Sequence, residues 1–225
     1  MPYTEVARSQ SPRGEVVLRR RTDEDGAGPE VLELRVNGVF VMDSLETTTE
    51  QALATAALAQ VAHPRAVVVA GLGLGYTVRA VLTDQRVEQV AVVEIEEALV
   101  GWMRDGTVPH GPSFLADERL SVVTADVRQA MAEATPSTYD LVLLDVDNGP
   151  GFLVHEDNAD VYEEPFLHSV HAALRPGGAV AVWSAASAPG LRERLAAVFS
   201  DAVAVPLDVT LQGRAEQYWL YLARR

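Results

Sequence analysis

Val- and Leu-rich runs at residues 15–21 and 30–36 predict two β-strands, joined through the turn-rich stretch 23–29 (DEDGAGP). Asn37-Gly38 then turns the chain into a third run at residues 39–42, because both residues tolerate positive φ. An Ala- and Leu-rich stretch from about Thr49 to Val61 reads as a helix. Ahead of these, residues 1–14 mix Ser, Arg, Gln and Pro without periodicity and read as an irregular tip.

From Arg65 the pattern changes. Short apolar runs at residues 66–70, 90–93, 120–123, 141–144 and 179–183 have the character of strands covered on both faces. Helical stretches separate them at 77–82, 96–104, 127–134 and 159–174, the last ended by Arg175-Pro-Gly-Gly178. Strand and helix in alternation predict a doubly wound α/β fold with a mostly parallel sheet. Two final runs, 202–205 and 218–222, flank Gln212-Gly213 with no helix between them and predict a terminal antiparallel hairpin. This is the layout of class I methyltransferase-like folds. The chain divides into a small N-terminal β-hairpin extension with a linking helix (residues 1–62) and a Rossmann-like domain (63–225).

Composition narrows the function. The 225 residues are 48% hydrophobic, enough for a substantial core. With 18 basic and 32 acidic residues the net charge is −14, which repels phosphate backbones and argues against nucleic-acid partners. The same surface draws a cationic small substrate. The absence of cysteine excludes a disulfide framework, a Cys-type zinc site and a thiol nucleophile. Neither a signal-like apolar segment nor a run of membrane-spanning length occurs, so the expectation is a cytoplasmic protein without membrane partners, with a homodimer possible.

The sharpest motif is Gly71-Leu-Gly-Leu-Gly75, directly after the first apolar strand of the large domain and opening a helix. Gly71, Gly73 and Gly75 let the chain turn tightly and let a ligand approach its backbone. Tyr76 stands where a dinucleotide fingerprint requires Gly or Ala, so the loop is G-x-G-x-G, as in adenosylmethionine-dependent enzymes. Glu94 ends the next strand, about 20 residues on, where a carboxylate accepts both ribose hydroxyls; Ile95 follows it. Asp126, with Val127 beside it, ends the third strand and is placed to accept from an adenine amino group. Asp145 ends the fourth. These strand ends converge at the edge where open α/β sheets bind ligands. The loop beyond, with Asp147, Asn148 and His155, together with Tyr162, is expected to line an acceptor pocket. His168 and His171 read as surface or packing residues, and no metal is expected.

With these motifs in place the sequence resembles the spermidine synthase family between about Leu32 and Gly178. The resemblance implies an extra N-terminal hairpin domain, an adenosyl-sulfonium co-substrate, and a base at Asp145 that deprotonates the attacking amine. Four positions depart from the family. Leu74 replaces an acidic residue that binds the donor's amino group, and Val41 stands near an expected glutamine. Glu50-Gln51-Ala52 replaces a Tyr-His-Glu segment, and Asp145-Val-Asp-Asn148 replaces Asp-x-x-Asp. The nucleoside half is kept and the polyamine half altered. The expectation is a transferase using S-adenosylmethionine or a close analogue to alkylate, in the first place to methylate, a small-molecule nucleophile. Aminopropyl transfer from the decarboxylated donor and non-catalytic adenosyl binding are the alternatives.

Overall fold

The computed structural model describes residues 3–22 and 28–225, so most of the predicted 23–29 turn lies outside the described residues. Four strands, β1 (Tyr3–Ser11), β2 (Gly14–Arg21), β3 (Val31–Val36) and β4 (Val39–Asp43), form an antiparallel sheet in sequence order. Asn37 and Gly38 take φ of 52° and 78° at the tight turn between β3 and β4.

The tip is not irregular: residues 3–11 form β1, paired along β2. A register shift between Glu5 and Ala7 breaks its alternation, and Val6 and Ala7 alone of its apolar side chains pack on the core. A strand with a bulge and one mostly polar, exposed edge carries no period-2 signal; its partner strand specifies it.

Helix α1 (Thr48–Leu58) leads into the large sheet. Next come β5 (Ala66–Ala70), α2 (Tyr76–Leu82), β6 (Gln89–Glu94), α3 (Glu97–Asp105), α4 (Gly111–Leu115), β7 (Leu120–Thr124), α5 (Val127–Ala132) and β8 (Tyr139–Leu144). A 3-10 helix (Glu156–Tyr162), α6 (Glu164–Ala173), β9 (Leu174–Ser184), α7 (Pro189–Val198), β10 (Ser200–Leu211) and β11 (Arg214–Arg224) complete the chain. The sheet order is β10-β11-β9-β8-β5-β6-β7, parallel from β7 to β9 and antiparallel beyond. This is the expected doubly wound sheet with its terminal hairpin.

Alternation along the strands divides the core. Val67, Val69, Val90, Val92, Leu141 and Leu143 join α1–α3 and the inner face of the N-terminal sheet. Val68, Val142, Leu144, Val180 and Val182 join α5–α7 on the other face. The helix expected at 159–174 is two elements. Pro165 lacks an N–H and fits only the first turn of a helix, so α6 restarts at Glu164 after the 3-10 segment. No described helix is long and apolar enough to cross a membrane.

A buried ion pair ties β2 to the end of β4, where the chain leaves the N-terminal sheet. Arg21 Nη2 lies 2.6 Å from Asp43 Oδ2, and the two residues are 6% and 1% exposed. Oδ1 of Asp43 accepts from the backbone N–H groups of Leu45 and Glu46, which turns the chain toward α1. Removing one partner leaves the other charge buried, at a cost of about 3–5 kcal/mol. Asp43→Ala is therefore expected to lower the unfolding free energy by that amount, read as a lower urea midpoint at an unchanged slope. Adding Arg21→Ala should cost far less than the sum of the single changes.

Candidate active site

Between β5 and β8 the winding of the sheet reverses, and crevices of this kind open at the carboxyl ends of the strands. The loop after β5 leaves with Gly71 at φ 95°, and a Cβ there would overlap the Asp145 carbonyl oxygen. Gly73 has φ 50°, and a Cβ there would meet Met42 Sδ at 2.7 Å. Both glycines line a cavity of about 1130 Å³, part of it open to solvent. Gly75 does not line it. Its φ of 85° opens α2, and its face lies against Met103 and Phe114.

At one end of the cavity the groups suit a nucleoside. Glu94 is 7% exposed, with Oε2 accepting from Leu72 N–H and Oε1 from Glu96 N–H, each at 2.8 Å. Burial raises its pKa. The carboxylate thus braces the glycine loop against β6, and each oxygen keeps a second lone pair for a ligand hydroxyl. Ile95, Val93, Leu99 and Val127 supply apolar wall. Asp126 also lines the cavity, but its carboxylate caps α5 through Arg128 N–H and holds the Arg128 guanidinium at 2.6 Å, which lowers its pKa. Arg128 continues to Asp160 and the Asp157 carbonyl, fastening the 3-10 helix.

Three placements differ from expectation. Asp147 and His155 line this larger cavity instead of a separate acceptor pocket. Asp147 takes φ 55°, with Oδ1 accepting from Asn158 at 2.9 Å and Oδ2 buried without a hydrogen-bond partner. Tyr162 lines neither cavity described here. It is 1% exposed in the core, its hydroxyl donating to the Val146 carbonyl, because its helical segment packs under the loop rather than over it. His168 is exposed and His171 stacks at 5.3 Å from Phe199, as surface and packing residues do.

At the opposite end stands Asp145. Thr77 Oγ1 donates to its Oδ2 at 2.6 Å, and burial pushes its pKa to about 6. Near it is Glu50, from the first turn of α1, 8% exposed and raised to about 7 by burial and by the Asp145 charge. Glu50, Val41, Met42 and Trp183 also line a second cavity of about 820 Å³. That cavity carries Asp43, Glu46, Glu216 and Tyr218, and Asn148, whose amide donates to the Phe40 carbonyl at 3.0 Å. Leu74 is fully buried in the core and lines neither cavity.

Four residues of this site escape the sequence reading. Arg13, in the turn between β1 and β2, donates to Asn158 Oδ1 at 2.9 Å and pairs with Glu96 at 3.5 Å, so it closes the nucleoside end. Nothing local to residue 13 signals this. Glu50 carries a signal, an acid where the family segment has none at that place. Trp183 and Tyr218, whose rings meet at 5.0 Å, sit on strands β9 and β11, where aromatic residues read as core.

Comparison with known proteins agrees with this geometry. The model of the spermine/spermidine synthase domain matches residues 46–196. Polyamine aminopropyltransferase 2 of Pseudomonas aeruginosa is 35% identical over 130 residues, 55% of this chain and 35% of that protein. Putrescine N-methyltransferase 3 of Nicotiana tabacum is 30% identical over 125 residues, 55% of this chain and 31% of that protein. The chain thus spans about a third of the length of these two relatives. A spermidine synthase solved with the transition-state analogue AdoDATO superposes with a TM-score of 0.83 at 17% identity, covering 98% of this chain and 73% of that one. The spermidine synthase of Thermotoga maritima gives 0.82 at 17%, covering 98% and 72%. These structures share the fold, and the match over residues 46–196 carries the descent: the chain belongs to the spermine/spermidine synthase family.

Proposed function

We propose that this protein transfers an alkyl group from an adenosyl-sulfonium donor to an amine of a small cationic acceptor, and that the group is aminopropyl, from decarboxylated S-adenosylmethionine. The observation that carries this reading is the sign of the charge around the reacting end. Asp145 and Glu50 both line the first cavity and lie near enough for the Asp145 charge to raise Glu50, and the second cavity, which Glu50 also lines, adds Glu46 and Glu216. Asp43 is already neutralised by Arg21. The basic residues lining these cavities are Arg13 and His155, both engaged with residues at the nucleoside end. A donor that keeps its carboxylate places an anion against these acids; the decarboxylated donor presents an ammonium alone.

In this reading Glu94 holds the ribose and the apolar wall of Ile95, Val93 and Val127 holds the adenine. Asp145 holds the donor's ammonium and leaves the sulfonium carbon open toward the second cavity. The acceptor's nitrogen lone pair attacks that carbon, the C–S bond breaks, and its electron pair returns to sulfur as the neutral thioether, methylthioadenosine. Methylation remains the second reading, favoured by Leu74 at the place of a family acid and by the similarity to putrescine N-methyltransferase.

The donor decides between them. Calorimetric titration is expected to show the decarboxylated donor binding about tenfold or more tighter than S-adenosylmethionine, about 1.4 kcal/mol, with an aminopropylated product seen by mass spectrometry. A reversed preference with a methylated product supports the second reading, and no product with either donor leaves a binding protein only.

Two variants test the placement. Glu94→Ala should weaken methylthioadenosine about tenfold or more, since two bonds to a charged group are lost; unchanged affinity removes Glu94 from the ribose. Because the Asp145 carboxyl titrates near pH 6, affinity for the decarboxylated donor should fall as pH drops from 7 to 5 and the attracting charge is lost. Asp145→Asn should be weak throughout and flat over that range.

A further inference from the structure

Glu50 is the buried acid that the site as described leaves without a task. It stands in the first turn of α1, and its carboxylate accepts from the Thr49 hydroxyl at 2.9 Å. Its side chain is part of the wall shared by the two cavities, together with Val41, Met42 and Trp183. The groups around it are acids and phenols: Asp145 after β8, Glu46 before α1, Tyr76 on α2 and Tyr218 on β11. Asp43 of β4 is spent on Arg21, and Arg79 acts on Tyr76 from the same helix α2. No cation among the described residues forms an ion pair with Glu50. In the same wall Trp183 is 7% exposed, and its indole Nε1 is buried with no hydrogen-bond partner among the described residues. A buried carboxylate without a counter-ion beside a buried N–H without an acceptor costs folding free energy, as groups kept for a ligand do.

Resting on the reading above that the acceptor is an amine, we propose that Glu50 receives the attacking amine of that acceptor and takes its proton, while Asp145 is left to hold the donor. Two observations divide the carboxylates in this way. Thr77 ties Asp145 to the first turn of α2, directly after the glycine loop, whereas Glu50 lines the second cavity as well as the first. An aliphatic amine titrates near 10.4 and arrives as an ammonium with no lone pair. It gives a proton to the Glu50 carboxylate and becomes the neutral amine; its lone pair then forms the new N–C bond as the C–S bond breaks, yielding a secondary ammonium and the thioether. Glu50 afterwards releases its proton through the second cavity. A carboxyl held near 7 is closer in affinity to the amine than an ordinary carboxylate, so the transfer costs less. The second cavity is also lined by Trp183, Tyr218, Glu46 and the exposed Glu216, a set that suits a further positive charge on the same molecule.

The test is 1,4-diaminobutane binding to the protein saturated with methylthioadenosine, by calorimetry at pH 6, 7 and 8. The diamine stays fully protonated across this range, so any slope belongs to the protein. Wild-type affinity is expected to rise with pH as Glu50 ionises. Glu50→Gln should bind about tenfold or more weakly at pH 8 and lose the rise between pH 7 and 8, where Asp145 is already largely ionised, while Glu50→Asp restores part of both. A thermal melt showing Glu50→Gln folded separates this from a structural loss. Wild-type affinity and slope in Glu50→Gln, or no diamine binding by the wild type, overturns the proposal. If the diamine binds through Glu50 yet no donor group is transferred, the transferase reading falls and the amine-receiving role stands.

Discussion

Gly71 passes so close to the carbonyl of Asp145 that no side chain fits between them, and the site is built outward from that approach. The contact brings the end of β5 against the end of β8, at the point where the sheet reverses its winding. It sets the glycine loop over the strand ends and carries Thr77 within reach of the Asp145 carboxylate. Glu94 fixes the same loop from the other side through Leu72 N–H. Carboxylates at the ends of the two strands that flank β5 thus hold the turn and the helix that follows it, Glu94 through Leu72 N–H and Asp145 through Thr77.

Electrostatics gives this geometry a direction. At the nucleoside end two of the acids are matched by cations, Asp126 by Arg128 and Glu96 by Arg13, and the buried Glu94 is held by backbone N–H groups. At the other side of the cavity Asp145 and Glu50 accept from hydroxyls, no cation among the described residues forms an ion pair with either, and burial raises both. A cationic ligand therefore supplies from outside what the fold withholds. Like charges held together in a partly dry cavity repel, and a bound ammonium relieves that repulsion in proportion to how dry the cavity is. The net charge of −14 repeats the same bias over the whole surface.

The central parallel strands were legible because they bury both faces and so read as uninterrupted apolar runs, as residues 66–70 do, and the edge strand β7 kept an apolar run although it is partly exposed. The strand-end residues Glu94, Asp126 and Asp145 were legible for the same reason, since a polar residue closing such a run stands out. What sequence could not show was pairing between distant segments. β1 is specified by β2 and carries a bulge, and Arg13 meets Asn158 only because that pairing places it there. Tyr162 misled in the opposite way: proximity in sequence to the loop after β8 suggested a pocket residue, but its ring is buried in the core. Glu50 was visible as a departure from a family segment, and only the fold gave that departure a place in the cavity.

The turn bearing Arg13 reaches across to Glu96 and to Asn158, and Asn37 in the neighbouring turn donates to the Val154 carbonyl. The first hairpins of the chain thus close a wall whose other half is encoded more than a hundred residues later. During synthesis the inner face of the N-terminal sheet can pack on α1–α3, but the Val154 and Asn158 partners of its turns emerge only with the loop after β8. Closure of this wall is consequently a late, long-range event, although Arg13 and Asn37 are among the earliest residues made. A folding intermediate with an intact large sheet and a detached first hairpin would keep its apolar strands protected from hydrogen exchange while having no donor affinity, which separates the acquisition of the fold from the acquisition of ligand binding in time.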